Sequence, residues 1–236
     1  MLYVLVVSSM ELEADEDDND IIVMRPSEFL RSSARYDLVV NVNNDYRYMK
    51  TGYYVSLHAE VLNSRVIPLT RDILDAYRTP ILLTRASKAG VPVLPYVVTD
   101  SVEQVVSTLN LPVVVFAVNP FMFGRFKIAR SKASLYRAVK SLTMNHRYAV
   151  CVQPLIGDLT AYKSFFGRST VDDEEVCGVS KKVYDVFNIP ICKLLVQRVN
   201  GKAYLCDLQV LRADEITPSD LEIITLEILQ IPRRPV

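Results

Sequence analysis

The chain is poor in the residues that usually announce chemistry. It has no tryptophan, two histidines and four cysteines in 236 residues. His58 and His146 stand without partner spacing, so neither a Ser-His-acid nor a Cys-His arrangement is supported. Cys151, Cys177, Cys192 and Cys206 lie far apart and match no zinc pattern. Thiols filling core space are the expectation, with a disulfide between two of them left open. Charge of either sign is not in surplus: Lys plus Arg number 27, as do Asp plus Glu. The chain therefore lacks the basic excess of proteins that track a nucleic-acid backbone; net charge does not support a nucleic-acid partner, and a local basic patch is left open. Neutrality weakens self-repulsion, so a protein partner or a second copy is expected. No run approaches the ~20 apolar residues of a membrane span. The short apolar stretch at residues 2–7 soon meets Glu11 rather than a cleavage site. A cytoplasmic protein without membrane association is expected. There is no internal repeat.

Hydrophobic residues make up 50% of the chain, enough for one sizeable core or two smaller ones sharing an interface. LYVLVV reads as a buried strand from its continuous β-branched run. The acids from Glu11 to Asp20 repel one another and predict a solvated surface loop without a calcium-loop pattern. IIVMRPSEFL predicts a strand and a turn or short helix, and DLVVNVN, residues 37–43, another strand with a polar end. A helix over residues 52–62 and the strand RVIPL complete a β-α-β reading to about residue 78, with a short join over residues 78–91. Beyond it, Asp100 with Glu103 matches a capping box, LPVVVFAV and GRFKIA read as strands, and Ser131 is placed to cap a helix. RYAVCVQPLI predicts a strand and residues 174–187 a helix. ICKLLVQRV and KAYLCDLQVL are two strands joined at Asn200-Gly201, a strong hairpin signal. Thr217-Pro218 opens a last helix with proline at its first position.

Some side chains suggest binding. Binding groups collect beyond the carboxyl ends of strands in open α/β sheets, and Asn41 sits at such an end. Tyr46, Tyr48, Tyr53 and Tyr54 form an aromatic cluster that suits a ligand pocket, a stacked base or a domain interface. Arg47 suits an anion through its planar fork, or a structural pair with Asp45 or Glu60. Asp207 and Gln209 alternate along a strand, which puts both on one side.

Residues 36–68, YDLVVNVNNDYRYMKTGYYVSLHAEVLNSRVIP, closely resemble the amino-terminal domain found ahead of RimK-like ATP-grasp ligases. More weakly, residues 80–211 resemble an ATP-grasp region. There SKAGVPVLPYVVTDSVEQVVSTLNLPVVVFAV, GRFKIARSKASLYRAVKSL, YAVCVQPLIGDLTAYKSFFG and the closing hairpin follow the family order. The resemblance implies an α/β fold with a small amino-terminal β-α-β domain, residues 1–78, followed by a reduced ATP-grasp-like α+β region, residues 79–236.

The resemblance also implies site residues. Gln153 falls at a nucleotide-proximal strand end, and Lys127 and Lys163 offer charge from neighbouring strands or are plain surface lysines. Asp207 and Gln209 fall where relatives hold magnesium with Glu-Val-Asn. Departures accompany these matches. The lysine expected after the valine run is Phe116, the glycine loop carries Phe121, Met122 and Phe123, and no acid stands near residues 193–195. These departures imply a binding or scaffold protein that keeps no cofactor, with Asn41, Arg47, Tyr46, Tyr48, Tyr53, Tyr54, Phe121 and Phe123 as a ligand or partner surface. The alternative is an ATP- and magnesium-dependent carboxylate–amine ligase.

Overall fold

Residues 4–12, 21–119, 122 and 124–231 are described in a computed structural model. Most of the expected acidic loop, residues 13–20, lies outside the described residues, as do Phe121 and Phe123.

The first β-branched run forms β1 (Val4–Ser8), buried along its length. It lies parallel to β2 (Ile21–Met24), which leads into the short helix α1 (Pro26–Phe29), and to β3 (Leu38–Val42). After α2 (Thr51–Val61), β4 (Arg65–Ile67) completes a parallel sheet in the order β2-β1-β3-β4. Leu5, Val7 and Val39 pack against Phe29, Val55 and Ala59 of the covering helices. Val4, Val6 and Val40 point the other way, into the main core. Burial on both faces explains the unbroken apolar runs.

Two helices follow, α3 (Thr70–Ala76) and α4 (Thr79–Lys88). Helix α4 fills most of what reads as a short join over residues 78–91. It buries only Thr79, Leu82, Leu83 and Ala86, a narrow stripe that is easily passed over among longer apolar runs. Arg85 of α4 donates to Asp72 and Asp75 of α3 at 2.9 and 2.8 Å.

The rest builds two antiparallel sheets. β5 (Val97–Thr99), α5 (Val102–Thr108), β6 (Val113–Ala117), β7 (Phe126–Ala129), α6 (Lys132–Leu142) and β8 (Val150–Pro154) form one, in the order β5-β8-β6-β7. Ser131 caps α6 as expected, but α5 is capped by Ser101, whose hydroxyl accepts from the Gln104 amide, rather than by Asp100. β9 (Asp158–Phe165), β10 (Arg168–Ser169), α7 (Glu174–Phe187), β11 (Ile191–Val199) and β12 (Lys202–Gln209) form the other, in the order β10-β9-β11-β12. Asn200 and Gly201 have φ of 49° and 80°, the left-handed pair a type I′ hairpin turn requires. α8 (Pro218–Gln230), capped by Thr217, ends the described chain.

The α/β class, with a β-α-β start and an α+β remainder, is the one the sequence predicts. One core cluster joins Val4 and Val40 to Val114, Phe116, Leu194 and Leu205. Residue 78 falls between α3 and α4, which pack on each other. Among the described residues no helix is long and apolar enough to cross a membrane.

Candidate functional site

Strand alternation gives the sheet β5-β8-β6-β7 two different faces. Val113, Val115, Val150 and Val152 join α5 and α6 in a closed apolar cluster. Val114, Phe116 and Cys151 turn toward the hairpin β11–β12 and join the main core. Phe116 packs on Phe126 with ring centroids 5.9 Å apart. Gln153 lies on this inner face, paired with Val114 in the ladder. It is completely buried, and neither its amide oxygen nor its nitrogen has a hydrogen-bond partner. Leaving such a group unmatched costs about 1–3 kcal/mol.

Opposite this face stands β12. Asp207 is buried and accepts a hydrogen bond from Thr79 at the start of α4, at 2.9 Å. Burial pushes its carboxyl up to about 7, with the Thr79 bond opposing the rise. Burial likewise raises the neighbouring Cys151 thiol and pushes the Cys206 thiol up to about 12. The four cysteines are all unpaired thiols.

Two residues beyond Asp207, Gln209 lines a cavity of about 150 Å³ with Leu208, Val210, Arg47, Tyr77 and Gly124. The loop after β3, the β6–β7 connection and the end of β12 therefore meet at one point. Arg47 is fixed there by Asp45, its Nε and Nη2 donating to the carboxylate at 2.9 and 2.6 Å. The pair to Asp45 is the structural alternative offered by the sequence, and it coexists with a place on the cavity wall. The loop's shape depends on Gly52. A Cβ there would lie 2.6 Å from the Asp45 carbonyl oxygen, closer than atoms approach without a shift of backbone. This gives the Gly-Tyr-Tyr stretch a physical reason.

The other expected residues lie outside this cavity. Lys127 donates to Ser141 of α6 at 2.8 Å, on the helix-covered face and away from Gln153. Lys163 donates to Asp220 and to the Glu215 carbonyl, each at 2.6 Å. Asn41 and Tyr46 are core residues, not surface. Asn41 donates to the Gly52 carbonyl and to Ser56, and the Tyr46 hydroxyl donates to the Asn41 carbonyl. Burial raises the Tyr46 phenol well above its usual range. Tyr48 and Tyr54 are exposed and flank Tyr53 edge-on.

Gln197 is not among the residues that the sequence singles out. Its amide oxygen accepts from the Ile156 and Gly157 amides, and its nitrogen donates to the Pro154 carbonyl. It thereby ties the β8–β9 turn to β11. It directly follows the apolar run Leu194-Leu195-Val196, and a polar residue continuing a buried run is the signal that could have found it.

The family described as RimK-like ATPgrasp N-terminal domain matches residues 27–225. No curated sequence matches the chain significantly. Among solved structures, a RimK domain protein ATP-grasp from Sphaerobacter thermophilus is similar, with a TM-score of 0.64 and 11% identity over 94% of this chain and 98% of that one. A D-alanine–D-alanine ligase from Bacillus anthracis complexed with ATP gives 0.63 and 12%, over 98% and 96%. The ATP-grasp ligase PsnB, complexed with a variant of its minimal precursor, Mg and ADP, gives 0.60 and 14%, over 97% and 98%. These likenesses overturn the expectation of a protein without a cofactor, because structures of this fold hold ATP in one case and magnesium with ADP in another.

Two features bear on the fit of such a ligand, one enclosed and one open. Gln153 has an unmatched donor and acceptor for a base edge, and the Arg47–Gln209 cavity suits an anionic group. Magnesium would rest on Asp207 and Gln209. Among the described residues no three His, Cys, Asp or Glu side chains come together, and magnesium commonly takes one or two carboxylates with phosphate oxygens and water. The family match spans most of the sequence, and the chain belongs to the RimK-like ATPgrasp N-terminal domain family.

Proposed function

We propose that the chain binds ATP between its two antiparallel sheets and acts as an ATP- and magnesium-dependent carboxylate–amine ligase. The observation that carries the nucleotide half is Gln153, a fully buried amide with both hydrogen-bonding atoms unmatched on the inner sheet face. Buried polar groups without partners are rare, and a base edge would complete this one. The likeness to ATP-grasp ligases supports the reaction class.

Gln153 is wholly enclosed, so admission of a base requires the sheets to part. In that opened state the Gln153 amide would orient the base. Arg47 turns its guanidinium to an anionic group in the cavity in exchange for part of its fork to Asp45. Asp207, as the carboxylate, and Gln209 would hold the cation. Bound ATP with magnesium would supply a phosphoryl group that activates a carboxylate toward an amine.

A second reading, nucleotide binding without transfer, is favoured by one set of contacts. Lys163, Lys193 and Arg47 are each paired to a carboxylate, and transfer depends on positive charge at the phosphates. Isothermal titration with ATP, with and without magnesium, tests both readings, followed by assay of phosphate release with amine and carboxylate mixtures. Micromolar binding with substrate-dependent release supports the ligase. Binding without release selects the second reading. Absence of binding at millimolar ATP removes both.

A further inference from the structure

Lys163, Lys193 and Gln209 stand side by side across β9, β11 and β12. Like charges directly opposite in a sheet repel, so the lysine pair calls for an anion. The chain supplies its own. Both carboxylate oxygens of Glu215 accept from Lys193, at 2.8 and 2.9 Å. Asp220 accepts from Lys163 at 2.6 Å and from the Thr217 amide at 2.8 Å, closing the cap of α8. Gln209 also lines the cavity with Arg47, which is held by Asp45. Three cations, one on the cavity wall and two on the strands beside Gln209, are thus each neutralised by a carboxylate of the same chain.

We propose that Glu215 and Asp220 occupy the seats of a ligand's anionic groups, and that residues 213–220 are an internal competitor which a polyphosphate displaces. The inference concerns regulation of the site proposed above, and rests on that reading for the nucleotide but not for the anion seat. Ammonium groups donate to carboxylate and phosphate oxygens alike. Ile224 and Ile228 anchor the later turns of α8 in the core, whereas Ile216 and Leu221 pack on it only partly buried, so displacing residues 213–220 costs fewer core contacts than undocking the helix. Such a competitor lowers apparent affinity by the fraction of time the seat is open.

The test titrates inorganic tripolyphosphate, at low salt, into the full chain and into a Glu215→Gln/Asp220→Asn variant. The variant is expected to bind at least roughly tenfold tighter, and the gain is expected to vanish when Lys163→Gln and Lys193→Gln are both added. A folded variant with no gain overturns the proposal. Should the variant fail to fold, hydrogen exchange on the unaltered chain decides. Tripolyphosphate accelerates exchange over residues 213–220 if the segment is displaced, and unchanged or slower exchange overturns the idea. Tripolyphosphate carries no base, which separates the two readings. A gain with no binding of ATP by the unaltered chain keeps the competitor and removes the nucleotide reading. ATP binding without any gain does the reverse.

Discussion

The parallel sheet and the antiparallel pair both bury polar side chains, and they do so on different terms. At the end of β3, Asn41 donates twice and accepts from Asn43, Ser56 donates to the Pro68 carbonyl, and the Tyr46 hydroxyl both donates and accepts. Between the antiparallel sheets, Gln153 has no partner and Asp207 has a single side-chain donor, Thr79. Gln197, buried beside them on β11, has both its oxygen and its nitrogen matched, so the deficit is particular to Gln153 and Asp207, two residues the proposed function assigns to a ligand.

Breaking the satisfied network should have the largest effect. Asn41→Leu leaves the Gly52 carbonyl, Ser56 and the Asn43 amide short of partners. A loss of about 4 kcal/mol is expected in urea unfolding, from roughly 1–3 kcal/mol per unmatched buried group. A change under about 1 kcal/mol would mean that the network is dispensable.

Asp207 should behave in the opposite sense. Its folded carboxyl titrates at about 7 against an ordinary 3.8, so between those values the folded state holds a proton that the unfolded state has released. The protonated form therefore stabilises the fold fully below about pH 4, and that contribution is lost as pH rises through about 7. Asp207→Asn should flatten this part of the stability–pH curve and gain about 2 kcal/mol at pH 8. That figure takes about 1.4 kcal/mol for each tenfold change in proton affinity, less the cost of an unmatched amide. An unchanged curve would show that Asp207 is not the titrating group.

Gln153→Leu sharpens the comparison most directly. Removing the unmatched amide should stabilise the chain by about 1–2 kcal/mol, read from thermal melts, while weakening ATP binding about tenfold. Destabilisation would place Gln153 with the structural group. The smallest effect belongs to the exposed tyrosines. Tyr54→Ser should change stability by under about 0.5 kcal/mol, and a larger loss would mean that its edge contact with Tyr53 holds α2 in place.

Local pattern alone determined a good deal of this protein. The β-branched runs of β1, β3 and β6, the Asn200–Gly201 turn, the Ser131 and Thr217 caps and the span of α7 follow from propensity, burial on two faces and turn chemistry, which act over a few neighbouring residues. The tertiary structure decided the rest. Alternation puts Lys127 and Gln153 on opposite faces of one sheet, but only the packing of α6 shows which face is covered. Arg47, Gly124 and Gln209 meet across more than 160 residues of sequence, and Lys163 finds Asp220 57 residues away. Helix α4 has too thin an apolar stripe to be read alone, and forms where α3, α7 and β12 offer surfaces to bury it. Burial, pairing and proton affinity depend on what folds over a side chain, and those neighbours come from distant parts of the chain.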